Sequence, residues 1–280
     1  MSVKFTKLHG NGNDFILIDE YKGDVIPDEK KAAFAKKYCQ RRFGIGADGV
    51  LYLLRGKGKS DLTMRIFNED GSEAEMCGNG IRCFAKYALD AGYLKPGKAL
   101  IDTLAGQLGI EAKAEDGRAT IKVGMGRLLF DRKKIPAHGI GDCLNVPLHG
   151  YEVSAVNTGV PHAVIFVDDL DSLDLMCIAP PIRYDRIFPK GANVNFVKRD
   201  IGFLGVRTYE RGVEGETLSC GTGSVAAAAI ARKLGYIRDS TIVKTKGGEL
   251  KISFDGDFAY MEGPAERVFD GEITLDPSQL

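Results

Sequence analysis

Two cysteines head matching glycine-rich segments, Cys77-Gly78-Asn79-Gly80 and Cys220-Gly221-Thr222-Gly223. A thiol placed just ahead of a helix meets unpaired backbone N–H groups and the positive end of the helix dipole, and both favour the thiolate. The same N–H groups form a cradle for an anion. Glycines beside the sulfur let a ligand come close to the backbone. Residues of these types at this spacing could do chemistry on a carboxylate-bearing substrate, with an acidified sulfur as the working group.

Each sulfur needs a helix behind it. Residues 226–231 read AAAAIA, and alanine has the best intrinsic helix propensity. A helix is therefore predicted to start at Gly221-Thr222-Gly223-Ser224 and to end at Gly235, which tolerates a left-handed terminus. The helix after Cys77 is predicted to run to about Ala91. The two segments share one offset of 143 residues, which also pairs Ala85 with Ala228 and Gly92-Tyr93-Leu94 with Gly235-Tyr236-Ile237. A polar, acidic approach precedes both cysteines, FNEDGSEAEM and YERGVEGETLS.

The repetition extends further. NTGVPHAVIFVDD answers the turn and strand that end at Asp19, and the segment from Phe188 to Asn193 answers that from Phe43 to Asp48 at offset 145. TKGGELKI answers TLAGQLGI at offset 142. Offsets that drift only between about 149 and 139 indicate a tandem duplication. Strands are predicted at 3–19 (broken by a Gly-rich turn), 50–54 and 62–67, with a helix at 27–40. Residues 100–123 alternate strands with turns at Ala105-Gly106 and Asp116-Gly117. Each half thus mixes several strands with one long helix, so the expected class is α+β. Expected boundaries are 1–124 and 125–266, with a tail at about 267–280 packing back on the first half.

Composition bounds the function. The 280 residues carry 38 Lys+Arg and 38 Asp+Glu, so no net field recruits nucleic acid or a membrane surface. No apolar run is long enough to span a bilayer, and the first ten residues lack a signal-peptide core. Six cysteines without scaffold spacing suit a reducing compartment, and a cytoplasmic location is expected.

Other motifs have plainer readings. Gly44-x-Gly46-x-x-Gly49 matches a dinucleotide fingerprint but has a helix before it and a strand after it, the wrong order. Lys57-Gly58-Lys59-Ser60 reads as a hairpin tip. Cys77 and Cys83 are separated by five residues, outside zinc spacing. Cys39, Cys83, Cys143 and Cys177 are read as buried hydrophobes, and no metal site is expected. His9 and His162 follow strand–turn positions, and either could be structural or catalytic. Asn13, Asn68, Asn157 and Asn193 all fall in turns next to strands, where a turn role competes with a polar cavity wall. Glu210-Arg211 stands where the first half has Asn68-Glu69. That pair is either a surface ion pair or the means by which one end of an asymmetric substrate is held through a carboxylate.

KLHGNGNDFILID, FNEDGSEAEMCGNGIRC, NTGVPHAV, GANVNF and YERGVEGETLSCGTG together resemble the diaminopimelate epimerases, across nearly the whole chain. The resemblance implies a cofactor-independent enzyme of lysine and cell-wall precursor synthesis, working as a homodimer. It makes Cys77 and Cys220 the acid/base thiols, and gives Gly78, Asn79, Gly221 and Thr222 to the reacting carboxylate. Asn13, Asn68, Asn157, Asn193, Glu210 and Arg211 become contacts to the amino acid, while His162 and Glu210 support the thiols. Two departures stand out. Many members carry glutamine where this chain has Gly49, and the segment Gly212-Val213-Glu214-Gly215 is one residue longer than in shorter members.

The expectation is two pseudo-symmetric α+β domains, each a mixed or antiparallel sheet wrapped around a central helix, closing on diaminopimelate from two sides. Inverting an α-carbon needs proton removal on one face and delivery on the other, which two thiols can share. A proline-type racemase also uses paired cysteines, and a thiol redox or ligand-binding protein is the non-enzymatic alternative.

Overall fold

The first turn of the chain shows local chemistry setting a ladder. Strands β1 (Ser2–Gly10) and β2 (Asn13–Asp19) are joined by Asn11-Gly12, at φ 55° and 80°. A two-residue hairpin of type I′ needs both central residues left-handed, which Asn-Gly tolerates best. Gly10 then pairs with Asn13 across the turn. The structure, a computed structural model, describes residues 2–115 and 118–275.

These residues fall into two units, one running to Val123 and resuming at Gly263, the other Gly124–Glu262. After β2 come a 3-10 turn (Asp28–Lys30), α1 (Lys31–Tyr38), β3 (Gly49–Arg55), β4 (Leu62–Asn68) and β5 (Glu73–Ala74). Helix α2 (Gly78–Asp90), β6 (Gly97–Thr103), β7 (Gly106–Glu115) and β8 (Arg118–Arg127) follow. The second series opens with β9 (Val146–Leu148), β10 (Tyr151–Asn157), β11 (Pro161–Phe166), α3 (Leu175–Arg183), β12 (Asn193–Asp200) and β13 (Phe203–Glu210). It closes with β14 (Gly215–Thr217), α4 (Gly221–Lys233), β15 (Ser240–Thr245), β16 (Gly248–Asp255) and β17 (Phe258–Thr274).

The duplication is present in the hydrogen-bond ladders. In the first unit β1–β2, β3–β4, β4–β5, β6–β7 and β7–β8 are antiparallel, while β2–β3 and β4–β6 are parallel. The second unit repeats this step for step. Its β10–β11, β12–β13, β13–β14, β15–β16 and β16–β17 are antiparallel, and β11–β12 and β13–β15 parallel. Mixed sheets with one long helix per unit make the class α+β.

Helix α4 packs against β10, β11, β12, β13, β15 and β16. Such enclosure requires a helix that is apolar on every side, and Val225 to Ala231 are all buried. Alanines in this run keep the helix thin, so strands approach it from several directions. Helix α2 packs against β1 to β4 in the same manner, with Ile81, Cys83, Phe84, Ala85 and Ala88 inside.

The structure corrects two details. The helix expected at 27–40 is a 3-10 turn at Asp28–Lys30 followed by α1, which ends at Tyr38. Cys177 is exposed rather than buried. On α3 the buried positions are Leu175, Ala179, Ile182 and Arg183, a stripe that turns Cys177 outward, where its Sγ lies 3.2 Å from Asp174 Oδ2. Cys39, Cys83 and Cys143 are buried. The expected turn at Asp116-Gly117 and the tail residues 276–280 lie outside the described residues.

Candidate active site

Each predicted thiol occupies the N-cap of its helix. Cys77 has extended backbone (φ −136°, ψ 122°) and accepts from Gly80 N at 3.4 Å; Cys220 (φ −114°, ψ 111°) accepts from Gly223 N at 3.4 Å. Serine, threonine, aspartate and asparagine are the residues that cap best. Sulfur is not among them, yet it holds that place on both helices. Hydrogen bonding from the third helical N–H, together with the dipole, favours the anionic sulfur. Gly78 and Asn79 in one unit, and Gly221 and Thr222 in the other, form the first turns whose N–H groups precede any intrahelical partner.

Around Cys77 the surroundings are polar and charged. Its Sγ lies 3.6 Å from Asn13 Oδ1, which also accepts from Asn79 Nδ2 at 3.2 Å. Asn13 in turn donates to Asp48 at 2.6 Å. Asp48 shares Arg41 (2.7 Å) with Asp14, which also pairs with Lys7 at 2.6 Å. Burial alone would raise the Asp14 carboxyl, but hydrogen bonds from Arg41 and Lys7 outweigh it and hold the group below the usual carboxylate range. Beneath the turn sits Arg82, fully buried, donating to Asn79 Oδ1 (2.9 Å), Asn11 Oδ1 (2.8 Å), Gly78 O (3.2 Å) and Pro264 O (3.1 Å). It clamps the helix start to the β1–β2 turn. Asn68 stands at the end of β4, opposite Gly49, and donates to Ser72 Oγ at 2.9 Å. Asn13, Gly49 and Asn68 thus share one end of three neighbouring strands.

Around Cys220 lie hydroxyl and amide groups and a buried imidazole. Cys220 Sγ lies 3.4 Å from Thr222 Oγ1, and Thr222 O accepts from Thr158 Oγ1 at 3.2 Å. His162 is fully buried, opposite Asn193 in the β11–β12 ladder, with Nδ1 3.1 Å from Asn195 Nδ2. Burial, with Arg211 adding to it, pushes the imidazole down to about 3, so the ring is neutral at ordinary pH. Asn193 Oδ1 accepts from Arg211 N at 2.8 Å, and its Nδ2 donates to Pro161 O at 3.1 Å. Asn157 bridges Lys134 O and Gly159 N, both at 2.8 Å. Glu210 accepts from Thr217 Oγ1 at 3.0 Å. The ends of β10, β11, β12 and β13 therefore gather Asn157, His162, Asn193, Glu210 and Arg211 on one side of the unit.

Arg211 donates to the carbonyls of Lys190 (3.2 Å) and Gly191 (3.4 Å). Among the described residues no carboxylate pairs with it, although nearby Arg183 has Glu214 at 2.9 Å. Burial first, and Arg183 second, lower its proton affinity. A part-buried cation with no carboxylate in direct contact among the described residues can receive an anionic ligand.

The ladders keep the equivalence read from the sequence. Leu51–Ile66, beneath Gly80, answers Asn195–Thr208, beneath Gly223, and the next row, Val50–Phe67, answers Val194–Tyr209. Asn68 therefore answers Glu210, and Glu69 answers Arg211. The asymmetry between the halves is a full reversal of charge at one position. Gly49 also has a structural reason: a Cβ there would lie 2.8 Å from Phe67 O.

Three buried groups escaped the sequence reading: Arg82, Asn195 and Thr208. The available signal was polar residues inside otherwise apolar runs, Arg82 in GIRCF and Asn195 in NVNF. Among the described residues no cluster of three His, Cys, Asp or Glu side chains could hold a metal, and no helix is long and apolar enough to cross a membrane.

Comparison with known proteins follows this geometry. A family model described as diaminopimelate epimerase matches residues 5–130 and 154–268. A diaminopimelate epimerase of Methanocella arvoryzae is 68% identical over 279 residues, covering 99% of both chains. One of Methanothrix thermoacetophila is 56% identical over 272 residues, covering 97% of this chain and 96% of its own. Among solved structures, a Bacillus anthracis phenazine biosynthesis protein of the PhzF family superposes with a TM-score of 0.74 at 18% identity. It covers 98% of this chain and 100% of its own, a likeness of fold alone.

Proposed function

The chain belongs to the diaminopimelate epimerase family, and we propose that it interconverts LL- and meso-diaminopimelate without pyridoxal phosphate or a metal. One thiolate removes the α-proton from one face of the carbon and becomes a thiol. The other thiol delivers its proton to the opposite face and becomes the thiolate, so a turnover in one direction readies the enzyme for the other. As charge spreads from the α-carbon onto the α-carboxylate, N–H groups of Gly78-Asn79 and Gly221-Thr222 stabilise it without reorganising. The observation that carries this reading is the repeated N-cap: two sulfurs in one backbone setting, each on a buried helix start.

Arg211 favours a substrate with a second carboxylate, which it holds while Asn13, Asn68, Asn157, Asn193 and Glu210 orient the remainder of the amino acid. A proline-type racemase would use the same sulfurs, but its substrate leaves Arg211 without a counter-ion. His162 and Glu210 act in support of the thiols. We place the enzyme in the cytoplasm, in lysine and cell-wall precursor synthesis, as a homodimer, as the family resemblance implies. Purified protein given LL-diaminopimelate should form the meso isomer, read by chiral chromatography, and leave L-proline unchanged. Turnover of proline with inert diaminopimelate would overturn the assignment.

A further inference from the structure

Asn195 lies in β12, fully buried, and its contacts determine which way its amide points. Nδ2 donates to Ala163 O at 2.9 Å, and a backbone carbonyl can only accept. Oδ1 accepts from Thr208 Oγ1 at 3.0 Å. The second amide hydrogen is then left facing His162 Nδ1 at 3.1 Å. Nδ1 must offer its lone pair, which puts the ring proton on Nε2.

We propose that Asn195 is a positioning residue that locks His162 as the Nε2–H tautomer, so that the ring serves the epimerisation proposed above as a hydrogen-bond donor to an anionic group and not as its general base. His162 Nε2 is buried and has no hydrogen-bond partner among the described residues. A buried donor left unmatched is costly, and an anion entering the site relieves that cost. Asn195 also supports the thiol's helix: a Cβ on Gly223 would sit 2.4 Å from its Oδ1 and 3.1 Å from Thr208 Oγ1. One amide therefore registers both the ring and the first turn that Cys220 caps.

The charges around the ring agree. Its strand neighbours are Val156 and Asn193, both uncharged, and Arg211 is the charged group that bears on it. The Asn195 hydrogen bond would favour an imidazolium only with its oxygen toward the ring, and its NH2 group occupies that side.

The test is nitrogen NMR of full-length protein labelled at histidine, with the His162 signals assigned by their loss in His162→Gln. The wild type should show an unprotonated Nδ1 and a protonated Nε2 throughout pH 5–8. A protonated Nδ1 would overturn the lock. In Asn195→Asp the carboxylate accepts from Nδ1–H instead. The tautomer should reverse, kcat/KM should gain an inflection between pH 5 and 8, and kcat should fall on the order of ten- to a hundredfold with KM within about twofold. An unchanged tautomer and pH profile, with only stability lost, would show a structural asparagine and defeat the proposal. The wild-type spectrum stands alone if that variant does not fold. It is also independent of turnover. An Nδ1–H ring in an active epimerase sinks the lock, whereas an Nε2–H ring in a protein inert toward diaminopimelate sinks only the substrate assignment.

Discussion

At Gly80 and Gly223 a backbone N–H meets its cysteine sulfur at the same 3.4 Å, yet the layers beneath the two turns differ. A Cβ on Gly80 would touch Cys77 Cβ and Leu51 at 3.3 Å and Ile66 at 3.4 Å, an apolar bed. Under Gly223 lie Asn195 and Thr208. Beyond these, the first unit surrounds its strand ends with the paired charges of Lys7, Asp14, Arg41 and Asp48, and the second with the neutral His162, Asn193 and Asn195 beside Glu210 and Arg211. Duplication kept the backbone that makes a thiol reactive and let the side chains around it diverge. A substrate whose two ends do different things requires that divergence, because identical halves would bind a symmetric ligand symmetrically.

The widest effect expected is on the feature the units share. Cys77→Ala and Cys220→Ala should each lower epimerisation by roughly a thousandfold or more, within the range expected for losing a proton-transfer group. Melting temperatures should stay near wild type. Near-normal turnover in either variant would reduce the pair to one working sulfur.

Next comes the reversed charge. Arg211→Met should raise KM for diaminopimelate on the order of a hundredfold while kcat falls less, because a desolvated carboxylate loses the cation proposed to hold it. Unchanged KM would move the distal carboxylate elsewhere.

The sequence made the shared feature legible and concealed the divergence. Cys77 and Cys220 with their glycines recur because the same backbone geometry constrains them twice, and the ladder order of the two units follows the repeat. Asn195 and Arg82 carry no such mark, since a polar residue in a buried strand or helix is defined by contacts distant in sequence. The equivalence of Glu69 with Arg211 was legible from the repeat, and the strand register agrees with it. Cys177 illustrates the reverse error: composition favours burial, but its place on α3 decides exposure.

A smaller effect separates the two beds. Gly223→Ala should destabilise by about 1–3 kcal/mol, the usual cost of overpacking, because its Cβ would sit 2.4 Å from Asn195 Oδ1. Gly80→Ala should cost less, since contacts of 3.3 Å can relax and alanine gains helix propensity of about 0.5–1 kcal/mol over glycine. Equal losses in urea denaturation would erase the distinction.

The subtlest difference is in acid. Below pH 6.5 the unfolded imidazole binds a proton that His162, held near 3, refuses. Its contribution is therefore complete above 6.5 and lost as pH falls toward 3. Asp14, lowered from 3.8, begins to lose its contribution only below 3.8. Hydrogen exchange should show the second unit losing protection first between pH 6 and 4, with His162→Gln flattening that slope. Simultaneous loss in both units would contradict the assignment of a neutral histidine to one and an ion cluster to the other.

The most direct test of paired thiols on one carbon is isotope uptake during the first turnovers of LL-diaminopimelate in deuterium oxide. Two monoprotic sulfurs predict one deuterium at the inverted α-carbon of the meso product, with recovered LL substrate still unlabelled. Product without deuterium, or substrate labelled as fast as product forms, would contradict the account.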